Sequence, residues 1–158
     1  MPPSVIRNDR VLVAAAAIAG MAGIGVSVYL TAVHYSAVSL VCATTGVINC
    51  ENVLASPYAV IAGSSVPTSA AGILWFSVSA ALAVVQLRGH RAPPIITLHL
   101  VWSAIGLVTV LYLVFIEIVK VGAICLWCSS AHALVLLTFM IALLRATPTR
   151  VGGRDLGQ

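Results

Sequence analysis

From Val11 to Cys50 the chain carries no Asp, Glu, Lys or Arg, and its one histidine there, His34, reads as neutral. A helix rising about 1.5 Å per residue needs roughly 20 apolar residues to cross a hydrocarbon core of about 30 Å. The tract is long enough for such a crossing. Apolar residues make up 61% of the sequence and charged ones 8%, where a soluble domain carries about 25% charged side chains. With a mean hydropathy of +1.10, the chain belongs in a bilayer.

Four spans are the economical division, at about 11–33, 68–87, 95–118 and 123–144. Each must be helical, because an isolated strand leaves its amides unpaired in lipid. The expected fold is therefore an all-α integral membrane protein: a four-transmembrane-helix bundle with a partly structured loop between the first two helices. Residues 1–146 form this single domain, and 147–158, polar and rich in glycine, make a short tail expected to be disordered.

Arg7 and Arg10 precede the first span, Arg88 and Arg91 lie between the second and third, and Arg145, Arg150 and Arg154 follow the fourth. The positive-inside rule makes that side cytoplasmic, with both termini, and leaves only Lys120 among the basic residues facing out. Topology thus accounts for the net charge of +4, and no nucleic-acid partner is needed. The arginines ahead of an apolar tract also resemble a signal peptide. The tract outruns the usual 7–15-residue core and lacks a clear cleavage region, so a retained span is expected.

The outward segment from His34 to Pro67 contains Cys42 and Cys50, and its Val47-Ile48, Val53-Leu54 and Tyr58–Ile61 groups are too apolar for a simple solvent loop. A short amphipathic helix near Asn52 to Ala55 is expected to fold back over the bundle as a cap. Gly20, Gly23 and Gly25 in span one can let neighbouring helix backbones approach.

The other two cysteines form the C-x-x-C motif Cys125-Leu126-Trp127-Cys128 at the outer start of span four. Three positions apart on a helix, they share a face, and the exposed amides and positive dipole end there favour a thiolate. Three readings fit four cysteines: a zinc site, two inert disulfides, or dithiol exchange. The C-x7-C spacing of the first pair is unfamiliar for zinc, and an extracytoplasmic position favours disulfide chemistry. Exchange needs an attacking thiolate and a resolving partner at each handoff, and two pairs supply both.

In this combination the sequence resembles the vitamin K epoxide reductase family, in the bacterial branch that couples protein disulfide formation to quinone reduction. The resemblance rests on four spans, Cys42 and Cys50 in the first outward loop, Ser56 soon after, and Cys125 and Cys128 opening span four. Another family of four-span disulfide-forming proteins places its C-x-x-C in the first outward loop and its wider pair in the second, the reverse of the order here.

The resemblance implies a multi-pass enzyme of the bacterial cytoplasmic membrane. It would reoxidise a separate extracytoplasmic thioredoxin-like (DsbA-like) protein and reduce a membrane quinone, menaquinone or ubiquinone, without a metal. Cys42 takes the role of the outer cysteine that meets the partner, Cys50 that of the inner cysteine exchanging with Cys125, and Cys128 that of the cysteine facing the quinone. Ser56 corresponds to a hydroxyl near the active centre, although Ser56-Pro57 is also an ordinary turn signal.

His132 falls on the face of Cys125 and Cys128, where animal members of the family carry a tyrosine; its imidazole can donate a hydrogen bond or move a proton. Thr68 stands where those members have an asparagine, which weakens epoxide specificity and leaves simple quinone reduction intact. Trp127 is a candidate for stacking on the quinone, against the ordinary expectation of an interfacial aromatic. Trp75 and Trp102 read as packing residues, His99 as a buried hydrogen-bonding group, and Glu117 and Lys120 as a surface i,i+3 pair. The alternatives are a thiol-dependent quinone-epoxide reductase and a non-enzymatic four-cysteine metal-binding membrane component.

Overall fold

Four helices carry the chain back and forth, and their apolar side chains point outward. The computed structural model describes residues 3–42, 45–61, 63–90 and 92–147. Helix α1 spans Pro3–His34, a short α2 spans Cys50–Leu54, and a 3₁₀ turn follows at Pro57–Ala59. Then come α3 (Thr68–Leu87), α4 (Pro93–Phe115), a π-helical continuation of α4 at Ile116–Val121, and α5 (Leu126–Ala146). Four segments are long and apolar enough to cross a membrane: Asp9–His34, Thr68–Leu87, Pro93–Val121 and Leu126–Ala146. The expected 147–158 tail lies outside the described residues except for Thr147.

The distribution of side chains is that of a bundle dissolved in lipid. Ile18, Leu74, Val101, Val108 and Leu144 are exposed, whereas Ser27, Ser79, Gln86, His99, Ser103 and Thr138 are buried. Hydroxyls inside an apolar bundle need an acceptor. Ser79 donates to Trp75 O at 3.0 Å, Ser103 to His99 O at 2.7 Å and Thr138 to Leu134 O at 2.9 Å, each one turn back.

Helix α1 packs on α3 and α5, and α4 packs on α5. Close approach of α1 to α3 depends on two of the three glycines noted above. A Cβ on Gly20 would sit 2.9 Å from Ala80 Cβ, and one on Gly23 would enter the Phe76 ring, while Gly25 has nothing nearby. Between α3 and α4, Trp75 and Trp102 each donate an indole N–H to the other's carbonyl at 3.2 Å.

At the end of the bundle opposite the cysteines, one side chain from each long helix joins a chain of polar contacts. Arg145 of α5 donates from Nε to Asp9 Oδ1 of α1 at 2.6 Å and from Nη1 to Gln86 Oε1 of α3. Gln86 Nε2 meets His99 Nδ1 of α4 at 3.0 Å. The sequence marks Arg145 only as a topological charge; here its side chain is 4% exposed and bridges two helices. Hydrogen bonds to charged groups contribute about 1.5–3 kcal/mol each. Arg145→Met is therefore expected to lower the thermal midpoint in detergent by roughly 5 °C or more. Exposed Arg88→Ala should leave it within about 1 °C, since surface changes cost little. A calorimetric scan giving equal midpoints for both variants would remove the bracing role.

The differences from the expected spans are local. Span three runs on to Val121 because its last turn widens into a π-helix, closed by Gly122 in the left-handed conformation at φ 67°. A π turn holds more residues than an α turn, so Glu117 and Lys120 do not share a face as an i,i+3 pair would. Glu117 is buried and Lys120 exposed.

Candidate active site

Two backbone segments meet at the loop end of the bundle. Residues 47–49 run parallel to Ile124, with Ile124 N–H bonded to Val47 O at 2.9 Å and Asn49 N–H to Ile124 O at 3.0 Å. The pairing sets Cys50 just past one segment and Cys125 just past the other. Asn49 then caps α2, its Oδ1 accepting from Asn52 N at 3.0 Å, which satisfies an otherwise orphaned first-turn amide. Pro67, the N-cap of α3, brings the loop back into the bundle.

Cys42 and Cys50 are joined in a disulfide with a Cα–Cα distance of 6.2 Å, and Cys125 and Cys128 are free thiols. Cys50 and Cys125 are fully buried in one apolar cluster with Val53 and Ala123, against which Cys42, Cys128 and Trp127 pack. All four predicted cysteines are thus in one place. Among the described residues no group of three or more His, Cys, Asp or Glu is arranged to hold a metal ion.

Cys125 is not on the helix with Cys128. It is the N-cap of α5, in extended conformation, and its Sγ accepts from Cys128 N at 3.3 Å. Preceding the fourth span, its thiol titrates below the ordinary range. A hydrogen bond from the Cys128 thiol is the largest cause, aided by the Cys128 and Trp127 amides, while burial and the Glu117 charge oppose it. Donors at a helix start stabilise a thiolate in this way.

Beneath Cys128 a cavity of about 260 Å³ opens between the loop and helices α1, α3, α4 and α5. Its walls are mostly apolar, including Leu30, Val53, Phe76, Val110, Leu113 and Val135, and the polar groups on it include Ser56, Thr68, Glu117 and His132. An apolar pocket with a few convergent polar groups suits a hydrophobic ring bearing carbonyl oxygens. Ser56 reaches the wall with its hydroxyl already donated to Val53 O at 2.7 Å, which leaves its oxygen lone pairs.

Trp127 is placed elsewhere. It is not among the cavity-lining residues; its ring lies 4.7 Å from that of Tyr29, and its indole N–H donates to Val41 O at 2.8 Å. Tyr29 Oη accepts from Val41 N at 2.8 Å and donates to Ser39 O at 3.3 Å. Together the two aromatics hold the strand of loop that leads into Cys42. Cys42 itself is half-buried and borders a separate open groove with His34, Ser39, Glu51 and Val60.

Two contributors had no weight in the sequence reading. Tyr29 gave no local signal, being one more residue of an apolar span. Glu117 did: an acid inside a membrane span is costly and seldom idle. Buried beside the dithiol, its carboxyl is influenced by the Cys125 amide and the Cys128 thiol, and it lines the cavity.

A bundle of four membrane helices that packs a disulfide against a dithiol of one buried and one half-buried cysteine, above an apolar cavity, defines a membrane thiol oxidoreductase. The chain belongs to the vitamin K epoxide reductase family, whose model matches residues 14–143. It is accordingly a multi-pass, thiol-dependent membrane oxidoreductase of a family that uses quinones. No curated protein matches the chain.

Proposed function

We propose that this protein oxidises a separate thioredoxin-like protein outside the cytoplasm and passes the electrons to a membrane quinone, as a disulfide-forming enzyme of the bacterial cytoplasmic membrane. The single observation that carries the reading is the packing of the oxidised Cys42–Cys50 pair against the free Cys125–Cys128 pair, with Cys128 on the cavity wall. Arg10, Arg88 and Arg145 at the other end of the bundle support cytoplasmic termini and an outward-facing cysteine end.

A client thiolate attacks Cys42 Sγ, forming a mixed disulfide and releasing the Cys50 thiolate; the client's second thiolate then breaks the mixed disulfide and leaves Cys42 and Cys50 reduced. The half-exposure of Cys42 beside a groove and the full burial of Cys50 against Cys125 support this order. Next, the Cys50 thiolate attacks Sγ of Cys125 in an oxidised Cys125–Cys128 pair, and Cys42 resolves the Cys50–Cys125 bond. The outer pair is again a disulfide and the inner pair a dithiol.

The inner dithiol becomes a disulfide as the quinone accepts two electrons and two protons. The chain's own groups hold that substrate: His132 offers an imidazole N–H, Thr68 a hydroxyl, and Ser56 lone pairs that can accept from the quinol, around an apolar enclosure that admits an isoprenoid quinone such as menaquinone or ubiquinone. Trp127 serves by fixing the segment before Cys42.

Purified protein in lipid nanodiscs, given a reduced thioredoxin-like protein and a soluble-tailed quinone, is expected to form one quinol per client disulfide. Alkylation mass spectrometry counts the disulfides and ultraviolet absorbance the quinone. Client oxidation without matching quinone loss would refute the reading. Turnover of a quinone epoxide with the simple quinone untouched would assign the chain to thiol-driven epoxide reduction. Stoichiometric zinc on four reduced cysteines would instead make it a metal-binding component.

A further inference from the structure

Glu117 has no part in the exchange steps above, yet it is an acid 6% exposed at the membrane-buried face of the site. The π turn at Ile116–Val121 aims it inward, and such turns recur at functional positions. It borders the same cavity as Cys128 and His132, and its carboxyl is influenced by the Cys125 amide and the Cys128 thiol. The Cys128 S–H has two acceptors within reach, Cys125 Sγ and the Glu117 carboxyl. A single S–H proton can serve one at a time.

A dithiol that becomes a disulfide must shed two protons at the moment two electrons leave, and burial removes water as their acceptor. We propose that Glu117 is the catalytic base of the quinone step, taking the Cys128 thiol proton and delivering it across the cavity to a quinone oxygen. This rests on the quinone-reducing reading above. The balance is complete within the site: two S–H bonds break, the Cys125–Cys128 S–S bond forms with one of the freed electron pairs, the other pair passes to the quinone, and two O–H bonds form there. Glu117 carries the two protons in turn, one from Cys128 and one from Cys125 beside it, and ends as a carboxylate, unchanged.

Other titratable groups face this region from α1, the loop, the π turn and α5, and none lines it from α3. His34 of α1, Tyr58 of the loop, and Cys128 and His132 of α5 border the cavity. Cys125 lies beside the carboxyl, and Lys120 on the same π turn is exposed. Glu117 differs from the others in being a buried carboxyl whose charge acts on both thiols of the inner pair.

The test compares wild type with Glu117→Gln, which preserves size and removes the base. General-base contributions of about 10²-fold are usual, so quinone reduction should slow by about that factor. Oxidation of the client by the Cys42–Cys50 pair in a single turnover should stay within about threefold. Wild-type turnover should fall as acid protonates the carboxylate, and that acid limb should be missing from the variant's profile. In reduced, quinone-free protein, the infrared S–H stretch that Cys128→Ser removes should shift in Glu117→Gln, since the thiol loses its carboxylate acceptor.

Turnover within threefold of wild type, with the same acid limb, overturns the proposal. If Glu117→Gln does not fold, Glu117→Asp carries the test: a tenfold or greater loss with normal client oxidation supports it, and unaltered turnover overturns it. Failure of the wild type itself to reduce quinone strikes the parent reading instead.

Discussion

Cys128→Ser is expected to abolish quinone reduction, by at least about 10³-fold, while the Cys42–Cys50 pair still oxidises one equivalent of client. Removing a reacting nucleophile costs at least that much where no other group can form the same bond, and serine cannot form the inner disulfide. The outer disulfide is a separate bond whose attack needs only an accessible Cys42 and an incoming thiolate, and both survive.

Cys125→Ser should also stop turnover, but for another reason: Cys50 loses its acceptor, so electrons remain on the outer pair. The client exchange then has no onward path, and with a client whose second cysteine is replaced, so that it cannot break the bond itself, a mixed disulfide with Cys42 should accumulate. Non-reducing electrophoresis followed by mass spectrometry of the crosslinked peptide reads the difference. Trapping through Cys128, or full quinone turnover in Cys128→Ser, would reverse the assignment of inner and outer positions.

Much of this architecture follows from one-dimensional pattern. Hydrophobic length alone sets the four spans, because lipid enforces helical hydrogen bonding on any segment that crosses it. Spacing along a helix or a family pattern also singles out the four cysteines, which the fold packs together, and Ser56, Thr68 and His132, which lie on the cavity wall. What the sequence hides are contacts whose partners are far apart in the chain and have no periodicity. Arg145 reads as one more topological charge, and only the folded bundle reveals that Asp9 and Gln86 converge on it.

Trp127 was legible as an aromatic beside the C-x-x-C motif, but its direction was not: the extended Cys125 starts the helix one residue later than a helical motif would, and the indole reaches the Val41 carbonyl across the loop. Glu117 was misplaced for a similar reason. An i,i+3 rule for an α-helix points it toward Lys120, and a π turn is not visible in residue types. Its neighbours Ile116, Ile118 and Val119 are equally compatible with either helix.

The second large effect is expected at a residue with no reactive side chain. Ile124→Pro should cut steady-state transfer from client to quinone by about 10²-fold, because proline removes the N–H that bonds Val47 O and with it one of the two bonds docking the Cys50 loop onto the Cys125 segment. Misplacement of reacting groups by about 1 Å can cost that much. Disulfide exchange is sensitive to such shifts, since the attacking sulfur must approach along the axis of the bond it breaks. Ile124→Ala keeps the backbone pair and loses only side-chain packing, so it should retain activity within about threefold. The two ends of the relay give the internal control. With a small dithiol supplied directly to the inner pair, Ile124→Pro should regain quinone reduction, while client oxidation by the preformed outer disulfide proceeds normally in one turnover. Equal losses in both half-reactions would mean that the pairing merely maintains the fold. A loss confined to the handoff would mean that a two-bond backbone contact sets the distance over which Cys50 and Cys125 exchange.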